Sequence, residues 1–191
     1  MHDVLLLCAL AAVTSHAQTR GTIVDARDGQ KYQWTKIDGV VWMAENLNYA
    51  MDGSFCYDNN PANCAKYGRL YTWDAAMKAC TTGWHLPTRE EWDELKTTLG
   101  EDAATKLKSK DWDGTDAIGF NALPAGFLIN FLSNNGSGFD AMGSNAYFWT
   151  ATEDLDYNAY LRALHSNDTT LYSDYENKNY AFSVRCVKDS Q

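Results

Sequence analysis

The segment GWHLPTREEWDEL, residues 83–95, carries the strongest structural signal in the chain. Thr88 is followed three residues later by Glu91, and this spacing is typical of a capping box at a helix N-terminus. Apolar residues then recur every three or four positions, and Gly100 is suited to end the helix. We therefore predict a helix over 88–99 whose apolar face consists of Trp92, Leu95 and Leu99.

A second helix is predicted just before this segment, in YTWDAAMKAC at residues 71–80. Thr72 can cap its start, and Asp74 suits its first turn because carboxylates are favoured near the positive end of the helix dipole. The helical spacing predicts a buried face that consists of Trp73, Ala76, Met77 and Cys80.

Strand signals precede both helices. Asp28 and Gly29 form a turn pair between β-rich runs, so residues 22–37 are predicted to form a hairpin. A further short strand is expected at 40–43, and residues 50–66 are expected to be a polar loop.

The C-terminal half is predicted to be rich in β-structure but irregular, because short apolar patches alternate with Gly, Asn, Ser and Asp from residue 110 onward. Phe182, Val184 and Cys186 would share one side of a half-buried last strand. No linker or repeat divides the chain, so we expect 18–191 to form one α+β domain.

Composition limits the classes of function. The chain has 191 residues, of which 45% are hydrophobic and 21% charged, and its formal net charge is −9. The hydrophobic fraction excludes a disordered chain, and the negative charge disfavours nucleic acid as a partner. No apolar run reaches the roughly 18 residues that a membrane span requires.

The N-terminus resembles a targeting segment. The apolar stretch Val4–Val13 is followed by small residues at Ser15 and Ala17. We predict a signal peptide over 1–17 and a secreted or cell-surface protein. A buried N-terminal helix is the alternative.

Export gives the remaining cysteines a structural interpretation. Cys56, Cys64, Cys80 and Cys186 form an even set, which predicts two disulfides with three possible pairings. Their spacing favours Cys56–Cys64 as a bond that closes a local loop, and Cys80–Cys186 would then be a long-range bond. Metal binding is the alternative, and it is disfavoured because the chain contains no CxxC.

No group of residues predicts catalysis. The carboxylates at 90–94 are expected on the solvated face of their helix, and His85 is expected to be packed and hydrogen-bonded. The acids of the segment 111–116 surround a glycine and could supply oxygen ligands to calcium. We expect a capped acidic turn there, without a metal or another cofactor.

The composition most informative about function lies at 144–180, where tyrosine, asparagine, serine and aspartate dominate. Tyrosine supplies rigid contact area and the polar residues supply adaptable hydrogen bonds, which is typical of surfaces that bind proteins or sugars. An ordinary polar loop is the alternative, and Trp149 is expected in the core. The predicted contacts with a glycan or a cell-surface protein are Tyr157, Tyr160, Arg162, His165, Asn167, Tyr172, Asp174 and Tyr175.

Seven stretches of the chain resemble, in order, the Fibrobacter succinogenes major paralogous domain family, whose members are exported bacterial proteins. These stretches are DGQKY (28–32), VWMAENLNY (41–49), YGRLYTWDAAM (67–77), GWHLPTREEWDEL (83–95), GFNALPAGF (119–127), FWTATE (148–153) and AFSVRCV (181–187).

The resemblance implies a C-type lectin-like fold, in which the two helices flank small antiparallel sheets and both termini lie on one side. A Cys80–Cys186 bond would match the long disulfide of that fold. Ligands would meet the long irregular region before the last strand, at about 130–180.

Departures from related proteins restrict the activity. The calcium-lectin motifs Glu-Pro-Asn, Gln-Pro-Asp and Trp-Asn-Asp are absent, so calcium-dependent sugar chelation is not expected. A sulfatase-maturation enzyme of the formylglycine-generating type requires a reactive cysteine pair in the C-terminal half, where Cys186 stands alone, so we expect no enzyme. A further alternative is a ligand-binding protein whose segment 144–180 is diversified by a reverse-transcriptase element.

Overall fold

The computed structural model describes residues 20–129 and 138–190, so the predicted signal peptide, 1–17, lies outside the described residues. The strands in the described part are β1 Arg20–Val24, β2 Lys31–Ile37, β3 Val40–Met43, β4 Ser54–Phe55, β5 Leu70–Thr72, β6 Trp84–His85, β7 Ala125–Leu128, β8 Phe139–Met142, β9 Asn145–Leu155, β10 Asn158–His165, β11 Tyr172–Asn177, β12 Ala181–Ser183 and β13 Val187–Lys188. The helices there are α1 Pro61–Tyr67, α2 Trp73–Ala79, α3 Arg89–Leu99 and α4 Ala103–Leu107. This mixture confirms the predicted α+β class.

The strands form two sheets. The first has the order β1-β2-β3-β13-β6, so the first and last strands of the described chain belong to the same sheet. The second has the order β11-β10-β9-β7-β12-β5-β4, with β8 paired to β7. The predicted hairpin at 22–37 is confirmed as the antiparallel pair β1–β2, and the predicted strand at 40–43 is β3.

The helix predicted over 88–99 is confirmed as α3. Its capping box is complete: the backbone N–H of Glu91 donates to Thr88 Oγ1 over 3.2 Å, and the N–H of Thr88 donates to Glu91 Oε2 over 2.8 Å. Its predicted apolar face is buried. Among the described residues, no helix is long and apolar enough to span a membrane.

The helix predicted within residues 71–80 is confirmed as α2, but two of its details are wrong. The Thr72 side chain makes no capping hydrogen bond, and Met77 is 44% exposed. Ala75 and Ala79 are buried instead. Their small side chains let this short helix lie close to the sheet, which turns the longer methionine toward solvent.

Both favoured disulfides are present, Cys56–Cys64 and Cys80–Cys186. The second joins residues 106 positions apart. A loop of about 100 residues corresponds to about 4.7 kcal/mol of stabilisation in the chain-entropy model. Disulfides are typical of proteins outside the reducing cytoplasm, so the two bonds are compatible with an extracellular protein.

The prediction of a polar loop over 50–66 is wrong at its C-terminal end, where α1 begins at Pro61. The Asn60 side chain accepts a hydrogen bond from the N–H of Ala62 over 3.0 Å. An Asn cap followed by proline is a helix-start signal, and here it outweighs the polar composition.

The C-terminal half is rich in β-structure, as predicted, and its main segment is a paired sheet whose irregularity is limited to register shifts between β9 and β10 near Ala159. β9, β10 and β11 form an antiparallel three-stranded unit. Polar residues occupy many of the exposed positions of this unit, and small alanines are common at its buried positions. The alternation of apolar and polar residues that is typical of a strand is therefore weak in the sequence. The stretch 181–187 is buried throughout rather than on one side, and it is not one strand: β12 belongs to the second sheet and β13, which begins at Val187, belongs to the first.

The central strands of the second sheet are covered on both faces. Phe148 packs against Trp92, with ring centroids 5.6 Å apart, on the side of α3. Trp149 points the other way and packs against Phe182 at 4.5 Å. Trp149 is fully buried, which confirms the prediction that it belongs to the core.

Candidate ligand-binding cleft

A cleft of about 240 Å³ opens on the face of the second sheet that lies opposite α3. Strands β7, β9, β10, β11 and β12 contribute to it, together with the residues that precede β12. Its walls and floor consist of Phe127, Tyr147, Leu161, Ala163, His165, Tyr172, Ser173, Asp174, Glu176, Tyr180 and Phe182.

The register of three strands explains why a cleft forms here. Tyr147 on β9 pairs with Ala163 on β10, which pairs with Tyr172 on β11. Residues directly opposite in an antiparallel sheet point to the same face. A methyl group between two phenol rings leaves a trough, and Ala163 forms its floor.

The aromatic side chains of the cleft form a continuous array. The His165 ring contacts both Tyr172 and Tyr147, at centroid distances of 5.3 Å and 6.0 Å. The Tyr147 ring also contacts Phe127, with ring centroids 5.3 Å apart. Phe127 in turn stacks on Tyr180, with centroids 6.3 Å apart and an interplanar angle of 5°. The cleft therefore presents mainly ring surface to a ligand.

Hydrogen bonds fix the two tyrosines that flank the trough. Tyr172 Oη donates to Asp168 Oδ2 over 2.7 Å, and Asn145 Nδ2 donates to Tyr147 Oη over 2.9 Å. The bond to Asp168 raises the pKa of Tyr172, and burial raises the pKa of Tyr147. Both phenols therefore stay neutral at physiological pH, and their rings are held in place before a ligand arrives.

Two carboxylates form one wall of the cleft. Asp174 and Glu176 lie two residues apart on β11 and thus on the same face. Asp174 Oδ1 accepts a hydrogen bond from the N–H of Tyr175 over 2.8 Å. Burial raises the pKa of Glu176. The cleft residues that the structure describes include no lysine or arginine.

Three of the predicted contacts are brought together in this cleft. They are His165, Tyr172 and Asp174. They come from two neighbouring strands, and their side chains face the same space.

Three other predicted contacts lie on the opposite face. Arg162 is 1% exposed, and its Nη2 donates to Asp93 Oδ1 over 2.7 Å, so it holds α3 on the sheet and does not line the cleft. The guanidinium of Arg89 lies 4.3 Å from the Tyr160 ring centroid. Tyr160 is in edge contact with Tyr175 at 6.3 Å.

The remaining two predicted contacts lie in the connections between the strands. Tyr157, in the turn from β9 to β10, is 61% exposed. Asn167 is exposed in the loop from β10 to β11, with a φ of +58°. The buried Lys108 supports that loop, because its Nζ donates to the carbonyl oxygens of His165 and Asp168 over 3.1 Å and 2.9 Å.

Sequence reasoning did not identify Phe127, Glu176, Tyr180 and Phe182 as cleft residues. An available signal was the alternation of Tyr172, Asp174 and Glu176, which places them on one face of a strand and Tyr175 on the other. The contributions from β7 and β12 depend on sheet order, which no local pattern in the sequence reveals.

The acidic segment 111–116 forms a tight turn. Asp116 Oδ1 accepts a hydrogen bond from the N–H of Asn121 over 2.8 Å. A Cβ on Gly114 would lie 2.1 Å from the carbonyl oxygen of Lys108, so this close approach requires glycine. Within 20–129 and 138–190, no three His, Cys, Asp or Glu side chains are grouped as metal ligands.

His85, at the start of the LPT segment, lies between two carboxylates. Its Nε2 is 2.9 Å from Glu91 Oε1, and its Nδ1 is 2.7 Å from Asp189 Oδ1. Burial disfavours the imidazolium, but the hydrogen bonds that the ring donates to the carboxylates of Asp189 and Glu91 outweigh this effect and raise the pKa of His85. The residue is hydrogen-bonded, as predicted, and it links α3 to the end of the chain.

Comparison with known proteins identifies the family of the chain. No curated protein and no solved structure matches the chain. The family model described as the Fibrobacter succinogenes major domain matches residues 35–188. This span contains α2, α3, the Cys80–Cys186 disulfide and every residue of the cleft. The chain therefore belongs to the Fibrobacter succinogenes major domain family.

Proposed function

We propose that this protein is an exported, non-catalytic module that binds a glycan at the cell surface through its aromatic cleft. The observation that carries the proposal is the trough between Tyr147 and Tyr172 over Ala163. It combines fixed ring surfaces with polar groups at the rim, and a ligand with both apolar and hydroxyl surfaces would match it.

Sugar rings have this dual character. Their C–H faces pack on aromatic side chains, while their hydroxyl groups exchange hydrogen bonds with histidine, tyrosine and carboxylates. Drug-sized ligands occupy pockets of about 300–1,000 Å³. The smaller cleft volume of about 240 Å³ suits one sugar ring, with the rest of the glycan outside.

Two features support a C-type lectin-like architecture for this module. The first and last described strands share one sheet. The long disulfide joins Cys80, directly after α2, to Cys186, directly before β13. Both agree with what the family resemblance implies.

Replacement of a single ring tests the proposal. In Tyr172→Ala, binding to a glycan array and to insoluble cellulose, xylan and chitin is expected to weaken about tenfold, because one ring contact is worth up to about 1.5 kcal/mol. Tyr175→Ala is the matched control: this ring is similarly exposed, on the same strand but on the opposite face. Its binding should equal that of the unmodified protein.

Filling the trough provides a second arm. Ala163→Leu adds three carbon atoms between the two tyrosines and should abolish binding while the thermal melt remains cooperative. If the purified, oxidised protein binds no glycan on the array, or if Tyr172→Ala and Tyr175→Ala bind alike, the proposal is wrong.

Contact with a cell-surface protein is a second candidate, favoured by a different observation. Leu155 and Tyr157 are 54% and 61% exposed around the turn from β9 to β10. An exposed apolar pair at a hairpin end can enter a pocket of a partner. If this turn is the site, Tyr157→Ala will abolish capture of bacterial surface proteins and leave glycan binding unchanged.

Diversification of 144–180 is compatible with either ligand. It predicts that sequences of this segment from one bacterial population differ mainly at exposed Asn, Tyr, Ser and Asp positions, whereas a fixed segment would exclude it.

A further inference from the structure

We propose that the cleft selects glycans that carry protonated primary amines, with oligomers of glucosamine as the model ligand. The inference rests on the proposed function and adds the charge of the ligand. Its basis is the pairing of an aromatic trough with two carboxylates that form no ion pair with any lysine or arginine of residues 20–129 and 138–190.

The first step is the state of the two cleft carboxylates. Asp174 accepts from the N–H of Tyr175, and Glu176 accepts from the N–H of Asn177. In the described part of the chain, neither carboxylate forms an ion pair, and the cleft lining contains no lysine or arginine. A cationic ligand would supply the missing partner.

The neighbouring acids are in a different state. Glu153, on β9, lies 3.2 Å from Lys178 Nζ, and on the opposite face of the sheet Asp93 of α3 pairs with Arg162. Asp168 accepts from the N–H of Thr170 over 2.7 Å and from Tyr172. Glu153, Asp93 and Asp168 thus each interact with another side chain, whereas Asp174 and Glu176 accept from backbone N–H groups and keep oxygen atoms available.

The aromatic rings favour the same ligand charge. An ammonium group is attracted to the faces of tyrosine and phenylalanine within about 6 Å of the ring centroid. Tyr147 and Tyr172 flank the trough, and Asp174 lies two residues along β11 from Tyr172. An aminated sugar seated over Ala163 can therefore stack on a ring and direct its amine to the acidic wall.

A pair of matched oligosaccharides isolates the amine. The hexamer of glucosamine and the hexamer of N-acetylglucosamine have the same length and linkage, and at pH 5.5 the amines of the first are protonated. Calorimetric titration of the purified, oxidised protein is expected to show about tenfold tighter binding of the glucosamine hexamer at low ionic strength. Because charge attraction is screened by salt, this preference should shrink at 0.5 M NaCl.

Isosteric variants separate the cleft from the overall negative charge of the protein. Asp174→Asn combined with Glu176→Gln should abolish the preference for the glucosamine hexamer. The control combines Glu94→Gln with Asp156→Asn, which removes the same amount of charge from exposed positions outside the cleft. The control should keep the preference.

Each result has a distinct meaning. Equal affinities for the two hexamers would overturn the amine selectivity and leave the glycan-binding proposal intact. Binding of other glycans on the array, but of neither hexamer, would have the same consequence. An equal loss of preference in both double variants would show that the attraction is general to this acidic protein and would overturn the role of the two cleft carboxylates.

Discussion

The two faces of β9–β11 differ in what their side chains do, although they share one backbone. Phe148 points toward α3 and packs in a sealed aromatic cluster with Trp92 and Phe120. Tyr147, the residue before it, points into the open cleft. The first face is covered by a helix, whereas the second is covered around Trp149 and leaves ring surface and carboxylates open at the cleft.

The same contrast applies to charge. On the helix face, Arg162 is buried and paired with Asp93. On the cleft face, Asp174 and Glu176 have no ion pair among the described residues. Substitutions on the helix face should therefore change stability, and substitutions on the cleft face should change binding.

The largest effect is expected for Phe148→Ala. Removal of this fully buried ring should lower the free energy of unfolding by about 3–5 kcal/mol, because it leaves a cavity among aromatic side chains. Tyr147→Ala is the adjacent control and should cost only about 1–2 kcal/mol, since its ring is partly buried. Urea unfolding measures both, and similar losses would contradict the contrast between the faces.

An intermediate effect is expected for Asp93→Ala. It leaves the guanidinium of Arg162 buried without its carboxylate, and burial already lowers the pKa of Arg162. Because Asp93 is itself half-exposed, the expected loss of unfolding free energy is about 1–2 kcal/mol.

A double-mutant cycle tests the origin of that loss. In the Arg162→Met background, Asp93→Ala should cost almost nothing, and Glu94→Ala on the same helix should change stability by less than about 0.5 kcal/mol in either background. An undiminished cost in the Arg162→Met background would show that Asp93 acts through something other than the ion pair.

The smallest effect concerns pH and belongs to neither face. The pKa of His85 is higher in the folded state than in the unfolded state. Protonated His85 therefore adds fully to the free energy of unfolding below the unfolded-state pKa of about 6.5, and this addition is lost as pH rises through the folded-state pKa. We expect less than about 1 kcal/mol, because the imidazole is partly exposed. Unfolding at pH 5.5 and pH 8.0 should reveal this loss in the unmodified protein.

The variant His85→Gln isolates the contribution of protonated His85. The difference in unfolding free energy between the unmodified protein and this variant should narrow from pH 5.5 to pH 8.0. A difference that widens with pH would mean that the neutral imidazole, not the imidazolium, is the stabilising form.

Local signals predicted the helical parts of the fold well. The capping box of α3 and the turn pair of the first hairpin act over a few residues, so their physics is complete within the sequence segment that contains them. The two disulfides followed from an even cysteine count and one short spacing.

Long-range placement was not predictable in the same way. Arg185 is fully buried, donates hydrogen bonds to Asn46 and to the carbonyl oxygens of Met43, Phe120 and Asn121, and has its pKa lowered to about 9 by burial. Nothing within AFSVRCV distinguishes such an arginine from an exposed one.

The cleft failed to appear in the sequence for a related reason. Composition identified the segment 144–180, but it does not show which of the tyrosines lie on the same face of the sheet and can form a trough. Register decides this: Ala163 lies opposite both Tyr147 and Tyr172. A change of one residue in pairing would exchange the two faces.

The Cys80–Cys186 disulfide also determines how the protein responds to mechanical force. Tension applied between the two ends of the chain passes from residue 80 to residue 186 through the sulfur atoms. The disulfide therefore prevents the 106-residue segment between these cysteines from being extended. At about 3.3 Å per extended residue, that segment corresponds to roughly 350 Å of chain. Every residue that lines the cleft lies inside this covalent loop, so the cleft strands are shielded from unravelling by a pull on the termini.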